Sequence, residues 1–213
     1  MSFRGHFYRI VTGLAVLGAA LPASAIVFSA TQDADAVLGT GFANSNFGNS
    51  GWISENYSGA ASVVAYIQFD VSSLTPGSVT NAKLRLFQEF NSQNGPVYEI
   101  FKVNGSWVEN TITGANQPGY GSTVYGSMAI TSGTQVWREW DVTSLVQEWA
   151  NGTSTNFGMA IKKNPDVAAW PYFRSRTNTS GNTPELVVDV VPEPTTALFL
   201  LVGLPLLARR KSK

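Results

Sequence analysis

No cysteine occurs in the 213 residues. That excludes a disulfide framework, a thiolate metal site and a cysteine nucleophile. A single histidine, His6, stands inside a leader-like segment described below. Without that segment no imidazole is left, and a Ser-His-Asp triad, a His-ligated zinc site and a His general base are excluded with it. Charge is also scarce: Asp, Glu, Lys and Arg make up 13% of the chain, about half the usual share. The formal net charge is zero, but residues 26–191 hold eight Lys/Arg against thirteen Asp/Glu, a net −5. An acidic body does not attract phosphate backbones, so nucleic acid is not expected as a partner. Strongly anionic polymers are disfavoured on the same ground. No Gly-rich phosphate loop, nucleophile elbow or metalloprotease motif is present.

The two ends have the composition of addresses. Arg4 and Arg9 precede an apolar stretch from Ile10 to Leu21, too short to span a hydrocarbon core of ~30 Å. Pro22-Ala23-Ser24-Ala25 follows, with small side chains at Ala23 and Ala25 as an A-x-A cleavage site requires. Residues 1–25 therefore read as a secretory signal that leaves Ile26 as the new N-terminus. At the other end Ala197 to Ala208 is an apolar run of twelve residues, roughly 18 Å as a helix. Gly203 and Pro205 weaken it, and Arg209, Arg210 and Lys211 would hold its end on the cytoplasmic side. The order Pro192-Glu193-Pro194, short apolar helix, basic cluster resembles the PEP-CTERM sorting tail. That resemblance implies processing by an exosortase-like membrane enzyme of a Gram-negative bacterium, a transient membrane association, and export to the cell surface or a biofilm matrix. An ordinary C-terminal anchor would also give an exported protein.

Between these ends the chain is rich in turns and short of helix formers. Ser, Thr, Asn and Gly supply 64 of the 166 residues 26–191. Alternation of period two recurs: Val63, Ala65, Ile67 and Phe69 fall on one face, and Ala82, Leu84 and Leu86 face away from Lys83 and Arg85. Further strand-like runs are 97–103, 135–140, 157–161 and 186–190, separated by Gly, Asn and Pro. Many short strands with turn chemistry between them predict a single all-β body, a two-sheet antiparallel β-sandwich with one short helix near 142–150. The expected layout is signal peptide 1–25, sandwich 26–191 and sorting tail 192–213. In the helix, Asp141 or Ser144 is the expected cap, with Ser144 and Gln147 as a capping box; Leu145 and Trp149 share the buried face, and Gly152 ends it. Phe69-Asp70-Val71-Ser72-Ser73-Leu74 echoes Trp140-Asp141-Val142-Thr143-Ser144-Leu145.

A series of short motifs runs through the body in order. Asn44 to Gly48 reads N-x-N-[FY]-G; Phe69 to Leu74 reads F-D-[VL]-S-S-L; Ala82 to Leu86 reads A-K-L-R-L. Then come W-x-E-x-T-x-T at Trp107 to Thr113, the helix motif Asp141 to Gly152, N-F-G-M-A-I-K at Asn156 to Lys162, and F-R-S-R at Phe173 to Arg176 before a P-E-L-V-V strand. This series resembles the DNRLRE-type domain, similar to alginate-associated carbohydrate-binding modules. The resemblance implies a jelly-roll-like sandwich and an extracellular polysaccharide as partner.

Six tryptophans stand in the chain: Trp52, Trp107, Trp137, Trp140, Trp149 and Trp170. Aromatic faces stack on the C–H faces of sugar rings, so this density suits glycan binding. Trp107, Trp140 and Trp149 lie inside structural motifs and are expected in the core. Trp170 and Tyr172 sit in a proline-broken segment with Arg174 and Arg176 close behind. Tyr172, Arg174 and Arg176 would share one strand face; with Lys162 and Lys163 they form the basic and aromatic concentration of an acidic body. Trp170, Tyr172, Arg174 and Arg176 are thus the candidate carbohydrate site, bidentate Arg being suited to uronate carboxylates; the alternative is a solvated sheet edge. Asp33 and Asp35, at i and i+2, could hold a structural Ca²⁺ with oxygens from Asn44, Asn46 or Asn49; turn chemistry explains them equally. No other cofactor is expected. Glu139 and Asp141 are also i, i+2, a spacing that any chain with thirteen acids offers, so they are no evidence for a glycosidase pair. The expected function is a non-catalytic exported protein that binds exopolysaccharide or builds a biofilm matrix; the alternatives are a self-associating matrix subunit and a polysaccharide-degrading enzyme.

Overall fold

A computed structural model describes residues 24–39, 41–54, 62–91, 95, 97–164 and 171–191. These contain ten strands and one helix. The first strand, β1 (Ser24–Leu38), organises the rest. Its opening residues Ser24–Ser29 pair antiparallel with β10 (Glu185–Val190), and Ala30–Leu38 pair antiparallel with β3 (Ser62–Phe69). The register breaks between Ala30 and Gln32, and at this irregularity the strand bends from one sheet into another. In the first sheet β4 (Val79–Asn91) carries β7 (Gly133–Asp141) along one edge. Along its other edge lie β10 and then β9 (Tyr172–Arg174), with β2 (Trp52–Ile53) beyond β9. The second sheet runs β1, β3, β8 (Met159–Asn164), β5 (Val97–Lys102), β6 (Gly126–Ala129). All pairings are antiparallel, as the period-two pattern predicts.

The main core lies between the two sheets. Ala82, Leu84, Leu86, Leu186 and Val188 enter it from the first sheet, and Ala65, Ile67, Phe69, Tyr98, Ile100, Met159 and Ile161 from the second. Each large apolar side chain fully buried here contributes about 1.5–3 kcal/mol relative to exposure, which serves a body with no disulfide. Trp140, 1% exposed, ties the layers by donating its indole N–H to the Tyr98 carbonyl at 3.1 Å. A second cluster covers the other face of the second sheet. There Val64, Tyr66, Phe101 and Ala160 meet Trp107 and Ile112 from the long connection after β5. That double coverage explains why Val63 to Phe69 is apolar at nearly every position. Lys83 and Arg85 do face outward, clamped by Glu139 of β7 at 3.0 Å each, with Arg85 also on Glu185 of β10 at 2.6 Å.

The helix α1 (Thr143–Ala150) buries Leu145, Val146, Trp149 and Ala150, as its pattern requires. Its start differs from the expected capping box. Val142 is the N-cap residue and makes no side-chain cap bond. Asp141 Oδ1 instead accepts the Thr143 N–H at 2.9 Å, and Gln147 reaches away to the Val79 carbonyl at 3.1 Å. Ser144 falls inside the first turn, two residues past the N-cap position. The echo motif uses the same device: Asp70 Oδ1 accepts the Ser72 N–H at 3.0 Å. Ala23 and residues 192–213 lie outside the described residues, while Ala25 is in β1 opposite Asp189. No helix among the described residues is long and apolar enough to cross a membrane.

Candidate functional site

Three aromatic side chains from distant parts of the sequence meet where β2, β9 and the end of β4 run together. Tyr172 and Trp52 stand edge to face, with centroids 5.2 Å apart. Phe90 leans on the other side of Tyr172 at 5.8 Å. Alternation explains the display. Ile53 and Phe173 pair across β2 and β9 and point into the core, 1% and 0% exposed, so their neighbours Trp52 and Tyr172 must point out. Phe90 would follow Gln88 to the opposite face, but the register of β4 against β9 shifts between Gln88 and Phe90. Such an irregularity re-aims a side chain, and Phe90 ends 41% exposed beside Tyr172.

The platform is held rigidly. Ser175 Oγ and Thr177 Oγ1 donate to the Ser50 carbonyl at 2.7 and 2.8 Å. The Ser175 N–H and Asn178 Nδ2 donate to the Gly51 carbonyl at 3.1 and 2.9 Å. Below, Phe173 is gripped edge-on by Tyr98 and Trp140. Rings preset in this way lose little freedom when a ligand stacks on them.

The sequence-based candidate site is reorganised by the structure. Trp170 lies outside the described residues. Tyr172 is half-exposed. Arg174 is not available to a ligand. It is buried, with its guanidinium over the Phe87 ring at 4.6 Å; it pairs with Glu89 at 2.8 Å and donates to the carbonyls of Ser180 and Gly181 at 3.0 and 3.1 Å. Arg176 does not share the strand face of Tyr172, because β9 ends at Arg174. Its guanidinium makes a two-pronged pair with Glu109. Lys162 and Lys163 belong to β8 in the second sheet; Lys163 is buried opposite Tyr98, whose ring packs on Phe173 of β9. Trp52 and Phe90 are the members that sequence reasoning missed; nothing local marks them, since their proximity follows from strand pairing over long separations.

Asp33 and Asp35 do lie side by side, opposite Ile67 and Ala65 on β3, and both are buried. Their oxygens serve the chain itself: Asp33 Oδ2 accepts the Arg176 N–H at 2.6 Å, and Asp35 Oδ1 accepts the Ser54 N–H at 2.8 Å. Asp33 Oδ1 has no hydrogen-bond partner, and burial pushes this carboxyl up to about 7. Asn46 gives both amide hydrogens to the carbonyls of Glu109 and Ile112 at 2.7 Å. Among the described residues no group of three Asp, Glu or His side chains is arranged to hold a metal ion.

The other openings suit a sugar less well. A cleft of about 410 Å³ is lined by Thr31, Asp70, Trp149 and Asn156, but Trp149 is 7% exposed and offers no ring face. Glu139 and Asp141 are both held below the usual carboxylate range, the first by Lys83 and Arg85, the second by the Thr143 N–H. Trp52 and Tyr172 are half-exposed and Phe90 exposed, three rings gathered on one part of the sandwich surface.

A sequence model of carbohydrate-binding module family 96 matches residues 26–190. The chain belongs to this family. Among curated proteins it is also similar to a gellan lyase of a Bacillus species, 25% identical over 194 residues. The match takes in 89% of this chain, which spans only 8% of the length of that relative. The family-96 match thus spans the sandwich from β1 to β10.

Proposed function

We propose that this family-96 module is an exported, non-catalytic protein that binds extracellular polysaccharide by stacking on Trp52, Tyr172 and Phe90. The preset, half-exposed trio carries this reading. Tyr172 Oη and Trp52 Nε1 make no hydrogen bond among the described residues, so each leaves a polar handle beside a ring face for sugar hydroxyls. The DNRLRE-like motif order supports the same conclusion. The leader at 1–25 and the PEP-CTERM-like tail at 192–213 support export and processing by an exosortase-like enzyme, for a place on the cell surface or in a biofilm matrix.

Non-catalytic action is supported by the state of the acids. A glycosidase needs one carboxyl with a raised pKa facing a second across a cleft. Asp33 is raised to about 7, but it is buried on β1 with the Arg176 N–H on its Oδ2. No cofactor is proposed, because the oxygens of Asp33 Oδ2 and Asp35 Oδ1 and the amide of Asn46 are already spent on backbone groups.

The test is titration calorimetry of the full chain against a panel of soluble polysaccharides, gellan among them. Trp52→Ala and Tyr172→Ala should each weaken binding about tenfold, the loss of roughly 1–1.5 kcal/mol of stacking, with little change in melting temperature. Absence of binding across the panel, or binding that neither substitution weakens, would refute the reading. Mass spectrometry of the native protein should find termini at Ile26 and near Pro192.

A further inference from the structure

We infer that Asn104 is a site of spontaneous modification, where the side-chain amide converts to aspartate and isoaspartate through a ring closed by the Gly105 backbone nitrogen. The site is separate from the aromatic platform and independent of what the module binds. Asparagine is a thermolabile side chain, and it reacts when the backbone N–H of the next residue can reach its Cγ. Glycine in that next position favours the approach, having no Cβ and a wide choice of φ and ψ. Three Asn-Gly pairs occur in the chain: Asn94-Gly95, Asn104-Gly105 and Asn151-Gly152. By sequence they are alike, and the fold separates them. Asn104 is exposed just after β5, where the chain bends at Gly105. Its backbone N–H is anchored on the Gly119 carbonyl at 2.9 Å. Among the described residues, its side-chain amide and the Gly105 N–H make no hydrogen bond, so both reacting groups are free. At Asn151 both are engaged. Its Oδ1 accepts the Gly77 N–H at 2.8 Å, and the Gly152 N–H donates to the Trp149 carbonyl at 3.1 Å. At the first pair the Gly95 N–H donates to the Ile130 carbonyl at 3.1 Å; Asn94 itself lies outside the described residues.

The conversion balances with water as the sole co-reactant. The Gly105 nitrogen gives its proton to solvent base and bonds to Asn104 Cγ. The Cγ–Nδ2 bond breaks, and the amide nitrogen takes up a proton and leaves as ammonia. Water then opens the cyclic imide at either carbonyl carbon, giving aspartate or isoaspartate. Either product adds a negative charge to an already acidic body. Isoaspartate also routes the backbone through Cβ and lengthens the chain between two anchored points. Val103 is held by its bridge to Tyr120, and Trp107 by its indole N–H on the Phe157 carbonyl at 2.8 Å. The segment affected is therefore the start of the connection whose Trp107 and Ile112 cover the outer face of the second sheet.

The experiment is incubation of the full chain in mildly alkaline buffer, once folded and once in urea, followed by tryptic mapping with tandem mass spectrometry. Cleavage after Arg85, Lys102, Arg138 and Lys162 puts the three Asn-Gly pairs on separate peptides, and fragmentation distinguishes Asn104 from Asn110 and Asn116. In the folded chain Asn104 should convert at least about tenfold faster than Asn151, where one or two hydrogen bonds must break before a ring can close. In urea the two rates should converge. Gly105→Ala should slow conversion at Asn104 severalfold. That variant keeps the fold, because Gly105 has no positive φ and a Cβ there would meet Pro118 Cβ at 3.7 Å, an ordinary contact. Conversion of Asn151 as fast as Asn104 in the folded chain overturns the inference, as does no conversion at Asn104 or conversion that Gly105→Ala leaves unslowed. A gap that persists undiminished in urea overturns it too, since the fold would then not be what sets the two sites apart.

Discussion

Burial holds the Asp33 carboxyl up to about 7, and the groups around it explain why a charge is unwelcome there. Oδ2 accepts the Arg176 N–H, whereas Oδ1 is enclosed without a donor. Glu109 adds repulsion from one side while the Arg176 charge only partly offsets it. In the unfolded chain Asp33 titrates near the ordinary 3.8. Between about pH 4 and pH 7 the folded state therefore holds a proton that the unfolded state has released, and stability falls as pH rises through that window; above about 7 this group adds no further change. The acids with lowered pKa, Asp70, Glu139, Asp141 and Glu148, lose their stabilisation only as the pH falls toward and below 4, so melting curves between pH 5 and pH 8 lie above their titration, and the comparison with a variant at Asp33 assigns the change to that residue. Asp33→Asn keeps an acceptor for Arg176 and removes the charge. Its melting temperature should change less between pH 5 and pH 8 than that of the native chain, with the advantage of the variant growing toward pH 8. Parallel pH curves for the two proteins would show that Asp33 is already ionised in the fold.

At the level of elements, two copies of one local device pin the sandwich. In Asn46-Phe47-Gly48 the Asn46 Oδ1 accepts the Gly48 N–H, and its amide holds two carbonyls of the long connection. In Asn156-Phe157-Gly158 the Asn156 Oδ1 accepts the Gly158 N–H at 3.0 Å, and its amide holds the Phe69 carbonyl at 2.8 Å. Each glycine then passes against a neighbouring backbone. A Cβ at Gly158 would stand 2.4 Å from the Ile67 carbonyl oxygen, on a residue with φ +93°, and one at Gly48 would stand 2.2 Å from the Glu109 oxygen. Gly158→Ala and Gly48→Ala should each cost at least about 2 kcal/mol, read as an earlier midpoint in urea unfolding; a midpoint unchanged in both would mean the strands can separate cheaply at these turns. The alternating strands and the helix were legible because their burial is local and periodic. The capping box was not, because whether Ser144 or Asp141 meets a free N–H depends on where β7 stops, a tertiary matter. The two-residue β2 carries no periodicity at all and exists only because Phe173 and Arg174 lie alongside it.

For the whole molecule, composition limited the chemistry better than it located the site. Lack of cysteine removed thiolate chemistry, yet Trp52, Phe90 and Tyr172 come together only through the order β2-β9-β4, which no spacing in the chain announces. The same topology makes the expected processing point testable. Ile26 is the third residue of β1, so cleavage after Ala25 removes the end pairs Ser24↔Val190 and Ala25↔Asp189 alone. Ser24 and Ala25 are exposed, and a chain of residues 26–191 should melt within about 3 °C of one of residues 24–191. A chain starting at Thr31 is a different case. It loses Ile26 and Phe28, which pack against the core, and leaves β10 paired with β4 alone, so Leu186 and Val188 gain access to water. Half-burial of two such side chains is worth about 1.5–3 kcal/mol, or roughly 3–12 °C for a body of this size. A large loss already at the Ile26 start would mean that the first sheet needs residues upstream of the proposed cut, and that the leader ends elsewhere.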